Sequence, residues 1–316
     1  MRMNLFKKAR KKIEVYLAYL GLAVLPRLPR KIILALAGVA GQGAFLLARG
    51  QRQITMANLE VAFGRSKTAA EKKQIAVRSF QIMALVLLDF FWFARHTRER
   101  VRKYVIMDES VPKYFPPPPA VVVTAHFGNW ELMSRAFTAH GYLHVAIVAP
   151  LANPEVDILF NNFRAAGDAE VVPMHGAVRG ALRAIQKKLL VAILLDQNTK
   201  PEDGGIFVDF FGLPCPMSTI AAVLAERKSV PIIPVFCRAQ GDGYYMFYAL
   251  EQFKNLPAAG SADFVNQATR QIAATFQREI EKHPEQWVWM YKRWKHVKHG
   301  WSAGAYPYYA KPLKRT

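Results

Sequence analysis

Through the middle of this chain, short apolar runs alternate with helical patterns. The runs at 120–125, 143–149 and 189–196 are built mainly from Val, Ile, Leu and Ala, and helical patterns fill the stretches between them. Apolar runs of this length suit strands that are buried on both faces, and such strands are joined by crossover helices. The alternation therefore predicts an α/β fold with a mostly parallel central sheet flanked by helices.

The flanking regions add further elements to this core. Residues 69–95 predict a long helix whose second half is apolar nearly all round, so that it is either deeply buried or in contact with lipid. After the sheet, the pattern predicts a helix at 217–228, two strands at 230–236 and 244–250, and an amphipathic helix at 262–282. We expect two units, with N-terminal membrane-anchoring helices over 1–50 and the α/β domain over 51–316.

The N-terminal region carries the signals of membrane contact. A basic start precedes the apolar run 13–25, and a second run without charge covers 32–48. As a helix the second run reaches about 26 Å, which is marginal for a bilayer core. It is compatible with one span, with a hairpin lying in one leaflet, or with ordinary buried helices. Basic clusters on both sides of the first run favour the cytoplasmic leaflet.

The net charge restricts the class of partner. Lys and Arg number 43 against 23 acidic residues, a balance of +20, which favours nucleic acid, an anionic membrane or an anionic substrate. No zinc finger, RNP motif or basic zipper is present, so we expect no nucleic-acid partner. Cys215 and Cys237 lie in apolar stretches without metal-ligand spacing, so we expect buried thiols and no metal site.

The segment VVVTAHFGNWELM holds the candidate chemistry. His126 follows an apolar strand, where sites form in parallel sheets, and Glu131 begins the next helix. A turn through Gly128 would bring the two side chains together. A histidine with a carboxylate on its other ring nitrogen can remove the proton of an attacking alcohol. From these residues alone, a structural histidine that caps the turn is the alternative.

Several ordered blocks support a family resemblance over nearly the whole chain. HFGNWE is an H-x4-E box, and the chain resembles the bacterial lipid A biosynthesis acyltransferases, the late lauroyl and myristoyl transferases of the glycerolipid acyltransferase superfamily. The other blocks are NNFRAAG (161–167), LLDQN (194–198), GGIFVDFFGLPCPMST (204–219), VPIIPVF (230–236) and HPEQWVWMYKRWK (283–295).

The resemblance implies roles for matching residues. His126 would be the general base and Glu131 its partner, while Arg164 would bind an anionic group or stabilise the oxyanion. The substrate-binding residues implied are Asn129, Arg164, Asp196, Gln197 and Gly205, with holding the turn as the alternative role for Asn129. Lys292, Arg293, Lys295 and Lys298, beside Trp289 and Trp294, suggest an anchor at the membrane interface.

The resemblance also implies the reaction. A fatty acyl chain would pass from an acyl thioester, with acyl carrier protein as the expected donor, to a hydroxyl of an anionic lipid A precursor. No cofactor beyond the thioester co-substrate and no metal is expected. The implied location is the cytoplasmic face of the bacterial inner membrane. Transfer to another bacterial glycolipid or aminolipid, and a catalytically idle membrane-associated binding protein, are the alternatives.

Overall fold

The computed structural model describes residues 2–164, 169–173, 176–253 and 256–313, without the side chains of 2–8 and 163. Within these ranges the helices are α1 (Arg2–Val24), α2 (Arg30–Leu47), α3 (Arg49–Phe63), α4 (Ala69–Trp92), α5 (Thr97–Tyr104), α6 (Ser110–Tyr114), α7 (Glu131–Ala139), α8 (Pro154–Arg164), α9 (Ala177–Gln186), α10 (Ile220–Lys228) and α11 (Phe264–Lys282).

The strands of the described residues form one large sheet and two small ones. They are β1 (Val105–Met107), β2 (Ala120–Thr124), β3 (His144–Val148), β4 (Ala169–Pro173), β5 (Leu190–Leu194), β6 (Gly205–Phe210), β7 (Leu213–Ser218), β8 (Ile232–Ala239), β9 (Tyr245–Ala249), β10 (His296–Val297) and β11 (Lys311–Pro312). The large sheet has the order β1-β9-β8-β2-β5-β3-β4, and only its β8–β9 pair is antiparallel. The predicted α/β class and mostly parallel sheet are confirmed.

Alternate residues of the central strand serve two separate hydrophobic cores. Val121 and Val123 of β2 face the core that includes α9, α10 and α11, while Ala120 and Val122 face the core that includes α7. All four side chains are fully buried, as expected for strands covered on both sides. This burial explains why β2 lacks any alternation of polar and apolar residues.

Helix α4 is the central helix of the N-terminal half. A capping box begins it, in which the Thr68 hydroxyl accepts from the Glu71 backbone N–H and the Glu71 carboxylate accepts from the Thr68 backbone N–H. Many side chains along its length are buried, among them Phe80, Val86 and Phe90. Among the large apolar side chains of α4 only Leu87 is exposed, at 48%, so protein covers at least part of each of the others.

Helix α2 packs closely along α4. At Gly41 an added Cβ would lie 2.4 Å from the Cα of Gln81, so glycine permits the close approach of the two helices. The buried side of α2 carries Ile33, Ala37 and Phe45. By length and composition, both Arg30–Leu47 and Ala69–Trp92 are apolar enough to cross a membrane. The proposed boundary between 1–50 and 51–316 stays a prediction.

Some helices and strands of the structure were not predicted from the sequence. The segment 205–218 is an antiparallel hairpin of β6 and β7, and the prediction did not include the short β1, α5, α6, β10 or β11. These elements are too short, or too rich in turn residues, for periodicity to reveal them. The predicted long helix 69–95 ends earlier, at Trp92.

Candidate active site

The register of two neighbouring strands brings the central pair of side chains together. Strands β2 and β5 are parallel, and Thr124 pairs with Leu194 at their carboxyl ends. His126 and Asp196 each follow two residues later, so both emerge at the same edge of the sheet. Nδ1 of His126 lies 2.8 Å from Oδ1 of Asp196, and the backbone N–H of His126 donates to Oδ2 at 3.0 Å.

A tryptophan completes the surroundings of the Asp196 carboxylate. Nε1 of Trp287 donates to Oδ2 of Asp196 at 2.8 Å, and Asp196 is only 4% exposed. An ionised carboxylate can only accept, so the His126 ring proton lies on Nδ1 and the lone pair on Nε2. The His126 side chain is 21% exposed, which leaves this basic nitrogen within reach of a substrate.

The electrostatics make His126 a stronger base than an isolated imidazole. Burial alone would lower the pKa of His126, but the charge and hydrogen bond of Asp196, with the nearby charge of Glu131, outweigh burial and raise the pKa above its ordinary value. Burial also opposes ionisation of Asp196. The charge of His126 and the hydrogen bonds from its ring, from Trp287 and from the backbone nevertheless keep the pKa of Asp196 below its usual range.

The expected pairing of Glu131 with the imidazole is wrong. Glu131 accepts two hydrogen bonds from Arg164, from Nε at 3.0 Å and from Nη2 at 2.7 Å, in a bidentate pair that is largely shielded from solvent. Nη1 of Arg164 also donates to Asn161. The ring nitrogen of His126 that was expected to contact Glu131 instead contacts Asp196. The negative charge of Glu131 contributes to the raised pKa of His126.

The turn after His126 is fixed by its backbone. Gly128 has a φ of +57°, and an added Cβ would lie 2.0 Å from the carbonyl oxygen of Cys237. The Gly128 N–H donates to the Gln286 carbonyl, and the N–H of Asn129 donates to that of Cys237. Only glycine fits this position, because both the backbone angle and the available space exclude a side chain.

Asn129 lies behind the site and not in the cleft. Its side chain is fully buried, donates to Asp89 at 3.4 Å and accepts from the backbone N–H of Leu132 at 3.3 Å. The prediction that Asn129 contacts substrate is therefore not supported by its position. Asp196 was likewise expected to line the cleft, and it instead holds His126.

A buried ionic cluster supports this turn. Asp89 is fully buried and receives hydrogen bonds from Arg30 and from the Tyr245 hydroxyl, and Arg30 also donates to the Gly243 carbonyl. Burial raises the pKa of Asp89, although Arg30 opposes that rise. The sequence reading missed this cluster, but an acidic residue inside the apolar stretch LVLLDFFWF was an available signal.

Gln197 and Gly205 have different positions. Gln197 is exposed, and its Nε2 lies 3.4 Å from Nε2 of His126, at the mouth of the site. Gly205 begins β6, and an added Cβ would lie 1.9 Å from the Thr199 carbonyl oxygen, so it shapes the loop before the hairpin. A substrate contact for either residue stays a prediction.

The segment 286–294 packs beneath the His126–Asp196 pair. The N–H of Val288 donates to the His126 carbonyl, and the Ser79 hydroxyl donates to that of Trp287. The amide of Asn58 donates at 2.7 Å to the carbonyls of both Trp289 and Tyr291.

The expectation of an interfacial anchor here is wrong for the central residues. Trp287, Trp289, Trp294 and Arg293 are at most 1% exposed, and Nη1 of Arg293 donates to the Pro216 carbonyl at 2.7 Å. Lys292, Lys295 and Lys298 are exposed. The tryptophans therefore form part of the core below the site.

A small apolar cavity lies beside the Glu131–Arg164 pair. It has a volume of ≈ 70 Å³ and lies between α7 and strands β2, β3 and β5, with Met133, Phe137 and Ile193 in its wall. Within the described residues, no group of three or more His, Cys, Asp or Glu is arranged to hold a metal ion. The site thus offers acid–base chemistry next to an apolar wall.

Comparison with known proteins decides the family. The model described as bacterial lipid A biosynthesis acyltransferase matches residues 3–296. The chain belongs to this family. The resemblance indicated by the sequence blocks is thereby confirmed.

Individual relatives are distant. The chain is 24% identical over 290 residues to the lipid A biosynthesis palmitoleoyltransferase of Escherichia coli, covering 89% of this chain and 91% of that protein. It is 24% identical over 181 residues to the phosphatidylinositol mannoside acyltransferase of Mycobacterium tuberculosis, covering 55% of this chain. That match spans 54%, about half, of the mycobacterial protein's length.

One solved structure also aligns with the chain. It is the 1-acyl-sn-glycerophosphate acyltransferase PlsC from Thermotoga maritima, with a TM-score of 0.38 and 14% identity over 82% of this chain and 99% of that one. An overlap this low carries no argument about function.

Proposed function

We propose that this chain is an O-acyltransferase that moves a fatty acyl group from an acyl thioester to a hydroxyl of a lipid A precursor. The observation that carries the proposal is the His126–Asp196 pair, which leaves Nε2 of the imidazole as a base in a chain of this family. Its counterpart in hydrolases, a histidine held by a buried aspartate, activates a hydroxyl nucleophile in the same way.

The reaction then needs no covalent enzyme intermediate. Nε2 of His126 takes the proton of the acceptor hydroxyl as the hydroxyl oxygen attacks the thioester carbonyl carbon. The tetrahedral oxyanion collapses and breaks the carbon–sulfur bond, and the imidazolium returns its proton to the departing thiolate. Asp196 holds the ring and stabilises its positive charge during these steps.

Gln197 is our candidate for stabilising the oxyanion. Its side chain is exposed, and its amide nitrogen lies 3.4 Å from Nε2 of His126, close to the atom that would take the proton of the acceptor. A donor directed at the developing negative charge is typically worth about 100- to 1,000-fold in rate. Arg164 is less suited to this role, because Glu131 occupies its guanidinium.

The apolar cavity behind Glu131 is our candidate for the start of the acyl chain. Its ≈ 70 Å³ holds about two water-sized groups, so a longer chain enters only when lining side chains such as Met133 move. The bidentate Glu131–Arg164 pair would close the polar end of this pocket and keep the reacting carbonyl beside His126.

Basic residues near the site support an acidic donor protein. The amide of Asn198 donates to the Lys292 carbonyl, so Lys292 lies next to the loop after Asp196. Burial lowers the pKa of His296 and the charges of Lys295 and Lys200 lower it further, while Glu202, which accepts from Lys200 at 3.0 Å, opposes this shift. With Lys292, these lysines form a group of basic residues around His296 and the loop after Asp196. Acyl carrier protein is strongly acidic, and we assign its docking to this cluster.

We propose that α1 and α2 anchor the enzyme in one leaflet of the membrane. One face of α2 is buried against α4 and the other is exposed, which suits a helix that lies along the membrane surface. The opposite face and α1 expose large apolar side chains: Ile13, Tyr16, Leu17, Tyr19, Leu20, Val24, Ile32, Leu36, Val39, Leu46 and Leu47. With the basic residues of α1, this surface suits the anionic cytoplasmic face of the inner membrane.

Mass spectrometry of a lipid A precursor incubated with purified enzyme and acyl carrier protein thioesters tests the proposal. We expect one added acyl chain with the wild type and none with His126→Ala. A second reaction with a phosphatidylinositol mannoside as acceptor tests the other acceptor class, which the mycobacterial relatives suggest. If the folded wild-type enzyme acylated only the second acceptor, the assignment to lipid A would be refuted. If His126→Ala still gave product, His126 would not be the essential general base.

A further inference from the structure

A second cavity lies away from the site, between the ends of α2, α3 and α4. It is an open groove of ≈ 850 Å³, with an apolar floor that includes Phe45, Leu46 and Met56 and with Tyr308 at one side. A groove of this volume, mainly apolar with a few placed polar groups, has the character of a ligand site. It shares no lining residue with the cavity beside Glu131. We call it the α3–α4 groove.

Two cations give this groove its polarity. Arg52 donates from Nη1 to the carbonyls of Phe45 and Leu46, at 3.0 and 2.7 Å, and thereby caps the C-terminal end of α2. Lys73 is exposed on α4. Among the ion pairs within the described residues, neither cation has a carboxylate partner. The nearest acid along α4, Glu71, is engaged by its own capping box.

The groove is continuous with the apolar surface of α2. Leu46 is 56% exposed and Leu47 is 84% exposed at the end of the helix, and Val39 is 75% exposed about two turns earlier. An apolar surface of this kind draws its ligand from the bilayer. The membrane thus supplies an occupant with a hydrocarbon chain, and the cations select one with a negative headgroup.

We propose that the α3–α4 groove binds one anionic membrane phospholipid, with an acyl chain over Phe45 and Met56 and the phosphate near Arg52 and Lys73. This lipid is neither the acyl donor nor the acceptor of the reaction. The groove therefore anchors the enzyme to anionic membrane at a second point, beyond the general contact of α1 and α2.

Photo-cross-linking of the full-length protein in detergent tests this site directly. The probe is phosphatidylglycerol with a photoreactive diazirine in its acyl chain, and the competitor is unlabelled phosphatidylcholine. We expect labelled peptides from 45–57 and 69–73, and weak competition by the neutral lipid. A basic residue near an anionic group is worth about fivefold in affinity, so Arg52→Gln with Lys73→Gln should weaken binding roughly 30-fold.

Matched variants separate the site from general charge effects. Arg227→Gln with Arg270→Gln removes the same charge from α10 and α11 and should bind the probe as the wild type does. Met56→Trp should block labelling while both cations remain, and His126→Ala should label normally because this site does not depend on catalysis. Labelling confined to other segments, or equal loss in the control pair, would overturn the proposal.

Discussion

Replacing Asp196 with Asn tests whether this carboxylate, and not Glu131, is the partner of His126. An amide of the same shape keeps the packing against Trp287 but removes the negative charge. Two of the three effects that raise the pKa of His126 come from Asp196, its charge and its hydrogen bond, while burial lowers that pKa. In Asp196→Asn the pKa of His126 should therefore fall below the ordinary imidazole value, about 6.5.

The rate should fall with the pKa. An Asn side chain at position 196 would stabilise the wrong tautomer of the His126 imidazole, or neither tautomer. The equivalent change in the triad of a serine protease lowers kcat about 10,000-fold. We expect a loss of roughly 1,000- to 10,000-fold here, or about 4–5.5 kcal/mol of transition-state stabilisation. Glu131→Gln removes the smallest of the three contributions and should lower the pKa of His126 less, although the loss of the Arg164 pair also costs activity.

Two assays separate these effects. The pH dependence of kcat/KM should show an acid limb above about 6.5 in the wild type, because the base must be neutral and its pKa is raised. Imidazole ¹⁵N shifts report the titration of His126 even where activity is lost. A larger downward shift in Glu131→Gln than in Asp196→Asn would refute the assignment. Trp287→Phe removes a donor from Asp196 and should move the acid limb to higher pH.

Two further predictions concern the frame of the site. Asp89→Ala leaves Arg30 buried without its carboxylate and should lower the free energy of unfolding by about 3–5 kcal/mol in denaturant titration. Glu170→Ala removes one partner of an ion pair in which both side chains are exposed, and it should change that free energy by about 1 kcal/mol or less. Gly128→Ala should lower kcat by about 100-fold or more, because its Cβ would displace the turn that carries His126. Gly141→Ala, also at positive φ but with open space, is the control; equal losses in both would contradict this reasoning.

The sequence by itself determined the class of fold and the position of the candidate histidine. Apolar runs of strand length, separated by helical patterns, leave few alternatives to a parallel sheet, and His126 follows such a run directly. These are local properties, carried by the order of polar and apolar residues along a few turns or strand lengths. The sequence blocks that resemble the family then linked His126 to acyl transfer without any knowledge of its side-chain contacts.

Only the tertiary structure decided which carboxylate contacts His126. Asp196 is 70 residues away from His126, and the register of β2 against β5 brings the two together. Glu131 is five residues away, yet its helix directs it to Arg164. Trp289 and Trp294 suggested a membrane interface because basic residues lie beside them in the sequence. In an irregular segment, burial follows from the neighbours that fold against it, and no periodicity in the sequence encodes those neighbours.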